Sequence, residues 1–332
     1  MSSIAIIGAG ISGLAAAKRL SEVGHAVQLF ERGAAVGGRC AAERHGPLRF
    51  DKGPPFFEAR DPRFLATVEQ LKRAGVIRAW TGRVVQITPR GQFRCPSGLR
   101  LVGTPDMRAI PEFLAEGQAI DLKTNIAEVK FRRRHWILRT ESNDDIGKFD
   151  ALILAMPPEQ ALRLLYWEPT AADWLSRAHS MPRWVAMLHF EHPLKLDFDA
   201  AHVSHEQVQW IARESSKPER SAHESWTVHS TSSWSQSRVS HDPVKVADDL
   251  ADAFRSIVNH GGGEPAFSRA HRWKLAEARS VRPLGPLVDS RTRLAVCGDW
   301  ATDSSVEGAY LSGRDAAEKL AKSLETTNRL TA

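Results

Sequence analysis

The sequence predicts an α/β protein with an α+β substrate part. A Rossmann-like dinucleotide-binding domain is interleaved with a substrate domain built mainly on antiparallel sheet. Three observations predict this. The first forty residues run strand, glycine turn, helix, strand, acid. Residues 76–104 carry short alternating segments rich in turn residues, the pattern of antiparallel strands. A buried apolar run at Leu294, Ala295, Val296 and Cys297 ends in Gly298-Asp299 near the C-terminus.

In the first element, Ile4, Ala5, Ile6 and Ile7 are long enough for one buried parallel strand. Gly8, Gly10 and Gly13 follow with G-x-G-x-x-G spacing. Gly8 allows the tight turn, Gly10 lets a pyrophosphate approach the backbone, and Gly13 lets the helix pack close to the strand. Ile11 and Ser12 open a helix in which Leu14, Ala15, Ala16, Leu20 and Val23 recur at helical period. Its N-terminus offers free N–H groups and a positive dipole end to phosphates. Residues 25–30 read as the second strand, and it ends in Glu31, followed by Arg32. Glu31 is placed to accept hydrogen bonds from ribose hydroxyls and disfavours a 2′-phosphate.

Composition narrows the function. A chain of 332 residues suits one large or two interleaved domains. The formal charge of +6 is modest, and the densest basic run, 132–134, reads as a solvated strand end rather than a nucleic-acid arm. The three cysteines, Cys40, Cys95 and Cys297, lie far apart with no zinc spacing, so no metal site is expected and reduced thiols in the cytoplasm are. No apolar run approaches the roughly 18 residues of a membrane span. The nucleotide motif starts almost at Met1, so no cleavable leader is expected.

Further along, Leu48 to Gly53 looks like a strand entering a turn, stopped by Pro54 and Pro55 before Phe56 and Phe57. Asp61 is an N-cap with Pro62 at the first helical position, for an amphipathic helix over 63–74. Short strands are expected at 84–87, 91–93 and 99–102, a helix from Met107 to Leu114, and strands at 120–122, 127–131 and 135–140. Residues 151–155 form a buried strand ending at Ala155, and Pro158 begins a helix. In 166–283 fall Trp167, Trp174, Trp184, Trp210, Trp226, Trp234 and Trp273, candidate walls for a planar ligand. Strands at 184–190 and 225–231 and a helix over 243–258 complete this part. The run His260-Gly261-Gly262-Gly263 reads as a turn without G-x-G-x-x-G spacing, so no second dinucleotide fold is expected.

Gly37, Gly38 and Arg39 follow Glu31 closely, and Asp51 and Gly53 form a D-x-G. Gly298-Asp299 is followed by Val306-Glu307-Gly308-Ala309, then Ser312, Gly313 and a helix to about Leu324. With the N-terminal glycine turn, these segments resemble the FAD-dependent amine-oxidase-type flavoproteins. Over nearly the whole length the sequence is similar to the bacterial renalase-like oxidases of that group. The likeness includes Ala59-Arg60-Asp61-Pro62-Arg63-Phe64, Trp210-Ile211-Ala212-Arg213, Ser216-Lys217-Pro218-Glu219-Arg220, Ser233-Trp234-Ser235 and Ala270-His271-Arg272-Trp273.

The resemblance implies noncovalent FAD, held by Gly8, Gly10, Ile11, Ser12, Gly13, Glu31, Arg32, Gly38, Arg39, Asp51, Gly53, Pro54, Val129, Ala155, Asp299, Glu307, Gly308 and Ala309. Val129 would lie by the adenine and Asp299 by the ribityl or phosphate-proximal hydroxyls. Gly308 and Gly313 would let backbone approach the isoalloxazine, with the last helix pointing at its pyrimidine ring. His271, Arg272, Trp273 and Trp234 would stand on the substrate side, with Trp210 as a further wall. The implied reaction is oxidation of the 2- and 6-dihydro isomers of NAD(P)H, with O2 as acceptor and hydrogen peroxide as product. Two departures bear on the substrate. The group typically follows D-x-G with A-Q-Y-F, where this chain has Pro54, Pro55, Phe56 and Phe57. Before S-K-P-E-R it tends to carry polar or basic residues, where Glu214 and Ser215 stand and Glu214 would repel a pyrophosphate if it faced the substrate. Oxidation of another amine or dihydro-heterocycle, and a flavin-fold binding protein without catalysis, therefore stay open.

Overall fold

The computed structural model describes residues 1–96, 98–259, 263–280 and 283–331. Strand Ser3–Ile7 lies at the centre of a six-stranded sheet. It pairs in parallel with Ala26–Phe30 on one side and Ala151–Ala155 on the other. Ala119–Asp121 extends the sheet at one edge; Leu294–Cys297, and then the antiparallel Leu287–Asp289, extend it at the other. Side-chain alternation sends Ile4, Ile6, Ala151 and Ile153 to one face and Ala5, Ile7, Leu152 and Leu154 to the other. Both faces are covered, which explains why these strands are apolar throughout. Helices Ile11–Glu22 and Val306–Thr331 cover the first face through Leu14, Ala17, Ala316 and Leu320. The three-stranded antiparallel sheet Ile126–Arg132, His135–Thr140 and Asp145–Phe149 covers the second through Trp136 and Leu138.

Two glycines allow this packing. A Cβ on Gly13 would collide with the Gly8 carbonyl, and a Cβ on Gly313 with the Ser12 carbonyl. The Ser12 hydroxyl donates to the Ala309 carbonyl at 2.6 Å, joining the starts of the two helices. Helix Pro62–Arg73 begins as expected, with the Asp61 side chain accepting from the Arg63 N–H.

The second sheet has seven strands, in the order Phe267–Ser280, Ala178–His189, Ser225–Ser230, Val208–Arg213, Ala200–Val203, Val84–Thr88 and Gly91–Arg94. All neighbours are antiparallel except Ala200–Val203 with Val84–Thr88. Helix Pro243–Ile257 covers one face, packing Val246, Leu250 and Phe254 on Trp184, Ala186 and Leu188. The hairpin Ala42–His45 and Leu48–Asp51 meets the other face, with Leu48 and Phe50 on Met187.

Among the elements that differ from the sequence reading, three bear on the site. Phe267–Ser280 is a 14-residue strand, of which only the motif at 270–273 stands out in the sequence; its charged residues hide the period because one face borders a cavity. Strand Ala178–His189 starts well before Trp184, passing Pro182 at a register shift between Met181 and Arg183. The last helix begins at Val306 rather than Ser312, so Glu307, Gly308 and Ala309 form its first turn. Two glycines read as breakers there. The expected turn at 260–263 falls for residues 260–262 outside the described residues. Gly313→Ala is predicted to lower stability by about 1–3 kcal/mol through overpacking. An unchanged thermal unfolding midpoint would count against the helix contact at Ser12.

Candidate functional site

A cavity of about 1830 Å³ lies between the carboxyl ends of the parallel strands and the open face of the seven-stranded sheet. It exceeds the roughly 300–1,000 Å³ usual for one drug-sized ligand. Two glycine turns form its floor. Gly8 has φ +104°, and a Cβ there would strike the Ala155 carbonyl. Gly10 bridges to Gly37 in parallel, and the Gly37 N–H donates to the Ala9 carbonyl at 2.8 Å. Helix Ile11–Glu22 starts at Gly10 with no side-chain cap and no acid in its first turn, so a dipole end faces the cavity free of side-chain competition. Glu31 is fixed at the strand end: Oε2 accepts from the Ala9 N–H at 2.9 Å and Oε1 from the Gly33 N–H at 2.7 Å. A turn open to close approach, an uncapped helix start and a fixed acid fit the pyrophosphate and ribose of a dinucleotide.

Arg39 closes the middle of the cavity. Nη2 meets Asp299 Oδ1 at 2.5 Å, and Nη1 donates to the Ala276 carbonyl at 2.8 Å. Gly53 sits against it, where a Cβ would strike the Arg39 carbonyl. Glu307 Oε1 accepts from the Arg60 and Asp61 N–H groups, both at 2.7 Å, and so ties the start of the last helix to the segment before Pro62. Ile11, Ser12, Arg32, Gly38, Pro54, Ala155 and Ala309 also line the cavity.

The far wall comes from the second sheet and from 52–57. His271 and Trp273 share a strand face, with ring centres 4.4 Å apart at 73°. Trp273 Nε1 donates to the Lys52 carbonyl at 2.7 Å. Burial, then Lys52, lowers the His271 pKa to about 4. His229 lies in register with Val185, which also pairs with His271. Burial, then Arg183 and Lys217, lowers the His229 pKa to about 3. Both imidazoles are therefore neutral at pH 7, and neither Nε2 has a hydrogen-bond partner among the described residues.

Several residues named from the sequence lie elsewhere; among the described residues, Asp51, Val129, Trp234, Gly13 and Gly308 do not line the cavity. Asp51 is wholly buried and paired with Lys217 and Arg220. Val129 packs in the core beneath the three-stranded sheet, and Ile126 and Ala127 line the cavity instead. Trp234 packs with the helix on the covered face of the second sheet. Gly13 serves helix-to-strand packing, and a Cβ on Gly308 would meet Asp303 and Thr302, so its closeness is to its own loop. Gly313 likewise packs against Ser12 rather than a ligand. Arg272 borders the cavity, but its guanidinium goes to the opposite face, 5.4 Å from the Trp184 ring centre and donating to the Val239 carbonyl. Of the seven candidate tryptophans, Trp273 lines the cavity; Trp184 borders it but packs its ring under the helix on the covered face, and Trp210 is buried beside Phe56, their ring centres 5.7 Å apart. The sequence reading did not single out His229, Arg183 or Lys274, which line the cavity. Their signal was alternation along strands whose inner face only the assembled sheet defines.

Comparison with known proteins places this geometry. Residues 6–71 match the NAD(P)-binding Rossmann-like domain, and 77–321 match the family described as flavin containing amine oxidoreductase. A 4,4′-diapophytoene desaturase of Staphylococcus haemolyticus is 49% identical over 51 residues, which is 15% of this chain and 10% of that protein. The chain thus spans about a tenth of the length of that curated relative. Among solved structures, cyclohexylamine oxidase from Brevibacterium oxydans IH-35A superposes with a TM-score of 0.78 at 14% identity, covering 98% of this chain and 99% of that one. Wild-type putrescine oxidase bound to putrescine gives 0.78 at 14%, covering 97% and 99%. At such identity these likenesses show the fold alone. The family match takes in about three quarters of the sequence, and with it the chain belongs to the flavin-containing amine oxidoreductases.

Proposed function

We propose that the protein is a FAD-dependent oxidase that oxidises 2- and 6-dihydro isomers of NAD(P)H: dihydro isomer, O2 and a proton give NAD(P)+ and hydrogen peroxide. The observation that carries this reading is the state of the cavity's carboxylates. All seven among the described lining residues are already engaged. Glu31 holds Ala9 and Gly33, Glu58 pairs with Arg60, Glu159 accepts from Ser180, and Glu277 pairs with Arg183. Asp299 pairs with Arg39, Asp303 accepts from Ser305, and Glu307 accepts from Arg60 and Asp61. An ammonium group would therefore meet no carboxylate that lacks a partner of its own. Nine basic residues line the same cavity; Arg39, Lys52, Arg60, Arg108 and Arg183 pair with acids and Arg272 turns away, so it is Arg32, Arg163 and Lys274 whose charge suits an anionic dinucleotide.

When bound, FAD supplies a ring that accepts the hydride and passes the electrons to oxygen. The chain's own part is placement. The N–H groups at Ile11 and Ser12 and the backbone at Gly10, Gly37 and Gly38 would hold the pyrophosphate, and Glu31 a ribose. Pro54, Phe56, His271 and Trp273 would form a flat, uncharged wall that orients the dihydropyridine and keeps water out. A dihydropyridine is already a hydride donor, so no general base is required. Cys40 lines the cavity, but its thiol donates to the Met107 carbonyl at 3.1 Å and burial pushes its pKa up, which favours noncovalent FAD. Buried thiols at Cys40 and Cys297 accord with a cytoplasmic setting. We assign 1–75, 116–160 and 284–332 to the FAD domain and 76–115 and 161–283 to the substrate domain; each of the two large sheets falls wholly within one set. Glu214 does not line the cavity and lies against Lys217, so the repulsion expected if it faced the substrate does not arise.

A second reading, oxidation of a small uncharged amine, is favoured by the family itself and by the aromatic faces of Phe56 and Trp273. Anaerobic mixing separates the two. Equilibrated NADH, which contains the 2- and 6-dihydro isomers, should bleach the visible flavin band, with recovery and peroxide on admitting air. Pure 4-dihydro NADH should not. Bleaching by small amines alone would select the second reading, and no bleaching by either would sink both. The imidazoles set a pH dependence. His229 and His271 have lowered pKa values in the fold, so between about 6.5 and 4 the unfolded chain binds protons that the folded one does not. Stability should therefore fall as pH drops through that window, and His229→Phe should flatten the fall. Equal pH dependence in the variant would contradict neutral, buried His229.

A further inference from the structure

The segment Ser216-Lys217-Pro218-Glu219-Arg220 does not line the cavity, yet it ends in a group of charges buried immediately behind the cavity's wall. Lys217 Nζ lies 2.9 Å from Asp51 Oδ2 and 2.8 and 3.0 Å from the oxygens of Glu214. Arg220 Nη2 lies 2.6 Å from Asp51 Oδ2, and its Nε lies 3.8 Å from Glu214 Oε2. The side chains of Asp51, Glu214 and Lys217 are wholly buried and that of Arg220 is 2% exposed. Asp51 Oδ1 accepts from the Met107 N–H at 2.9 Å, and Glu214 Oε1 from the Thr227 hydroxyl at 2.9 Å. Two carboxyl groups thus face two cations; burial, opposed by Lys217 and aided by Asp51, raises the Glu214 pKa. Burial opposes the charge on Asp51, but Lys217 and Arg220 outweigh it and hold its carboxyl below the usual range.

Such a quartet is a poor device for stability. Desolvating charged groups costs about what their attraction returns, and well-packed apolar side chains often serve as well or better. What a quartet supplies is direction: each bond fixes one segment against another. Asp51 ends strand Leu48–Asp51 and leads directly into 52–57, all of which line the cavity. Glu214, Lys217 and Arg220 follow strand Val208–Arg213 of the second sheet. A second path runs through one ring. Lys217 Nζ lies 5.8 Å from the Trp80 ring centre, Trp80 Nε1 donates to Ser216 Oγ at 3.1 Å, and Trp80 packs on Phe56 at 6.2 Å.

We propose that Asp51, Glu214, Lys217 and Arg220 are positioning residues: they hold the wall 52–57 against the substrate sheet, and affinity for the substrate, not for FAD, depends on that placement. The claim about affinity rests on the proposed reading of the cavity; the claim about placement does not.

The test uses the FAD-loaded full chain with Glu214→Gln and Lys217→Met together, which remove one carboxyl group and one cation and leave Asp51 paired with Arg220. Amide hydrogen exchange should quicken about tenfold over 52–57 and stay unchanged in helix Ile11–Glu22 and strand Ala151–Ala155. FAD content and thermal midpoint should hold. With equilibrated NADH as substrate, KM should rise about tenfold while kcat changes less than about threefold. Thr227→Val, which deletes only the hydroxyl donated to Glu214, should shift exchange in the same direction by less. Unchanged exchange over 52–57 in both variants would overturn the proposal. So would a double variant that loses FAD or fails to fold, because the quartet would then be structural. If exchange quickens but the wild type does not turn over the isomers, the placement stands and the reading of the reaction falls.

Discussion

One guanidinium holds the two halves of the cavity together. Arg39 follows the second glycine pair, yet its Nη2 binds Asp299, 260 residues away, and its Nη1 binds the Ala276 carbonyl on the substrate sheet. Its own carbonyl is the surface against which Gly53 rests. The glycine turns, the last strand of the parallel sheet, the edge strand of the second sheet and the wall 52–57 thus meet at one residue. An arginine suits this because its planar fork serves several acceptors in fixed directions. The charge on Arg39 is consequently shared with Asp299 rather than offered whole to a phosphate, so the anion-holding task falls more on the backbone N–H groups at the first helix.

The dinucleotide half of the fold was legible in the sequence because its signals are local. A short apolar run, a glycine turn, a helical period and a terminal acid each act within a few residues, and the strands at Ser3–Ile7, Ala26–Phe30 and Ala151–Ala155 stand where that order puts them. On the second sheet less was legible: His271 and Trp273 line the cavity. Arg272 between them turns away, and Trp234 lies under the covered face, because which face of a strand is inner depends on partners far off in sequence. Asp51 shows the same limit differently: a carboxylate next to a glycine turn reads as a ligand contact, and only the arrival of Lys217 and Arg220 shows it to be part of an internal ion group. The close approaches at Gly308 and Gly313 are made to neighbouring chain, Asp303 and Thr302 for one and Ser12 for the other.

Fold alone would not choose a reaction, since amine oxidation and other flavin chemistry share this architecture. The charge pattern of the cavity narrows the choice. Here the lining acids are internally engaged, the basic residues outnumber them, and the two imidazoles are held neutral by burial and by nearby cations. On the proposed reading the chemistry would rest on orientation and on exclusion of water, with the wall 52–57 held from behind by Asp51 and its buried partners.

The central claim is that this cavity holds FAD without a covalent bond. The direct measurement is to precipitate the purified protein with acid and assay flavin in supernatant and pellet. The account predicts stoichiometric FAD, all of it released to the supernatant. A colourless protein that takes up no added FAD, or flavin that stays with the pellet, would contradict it.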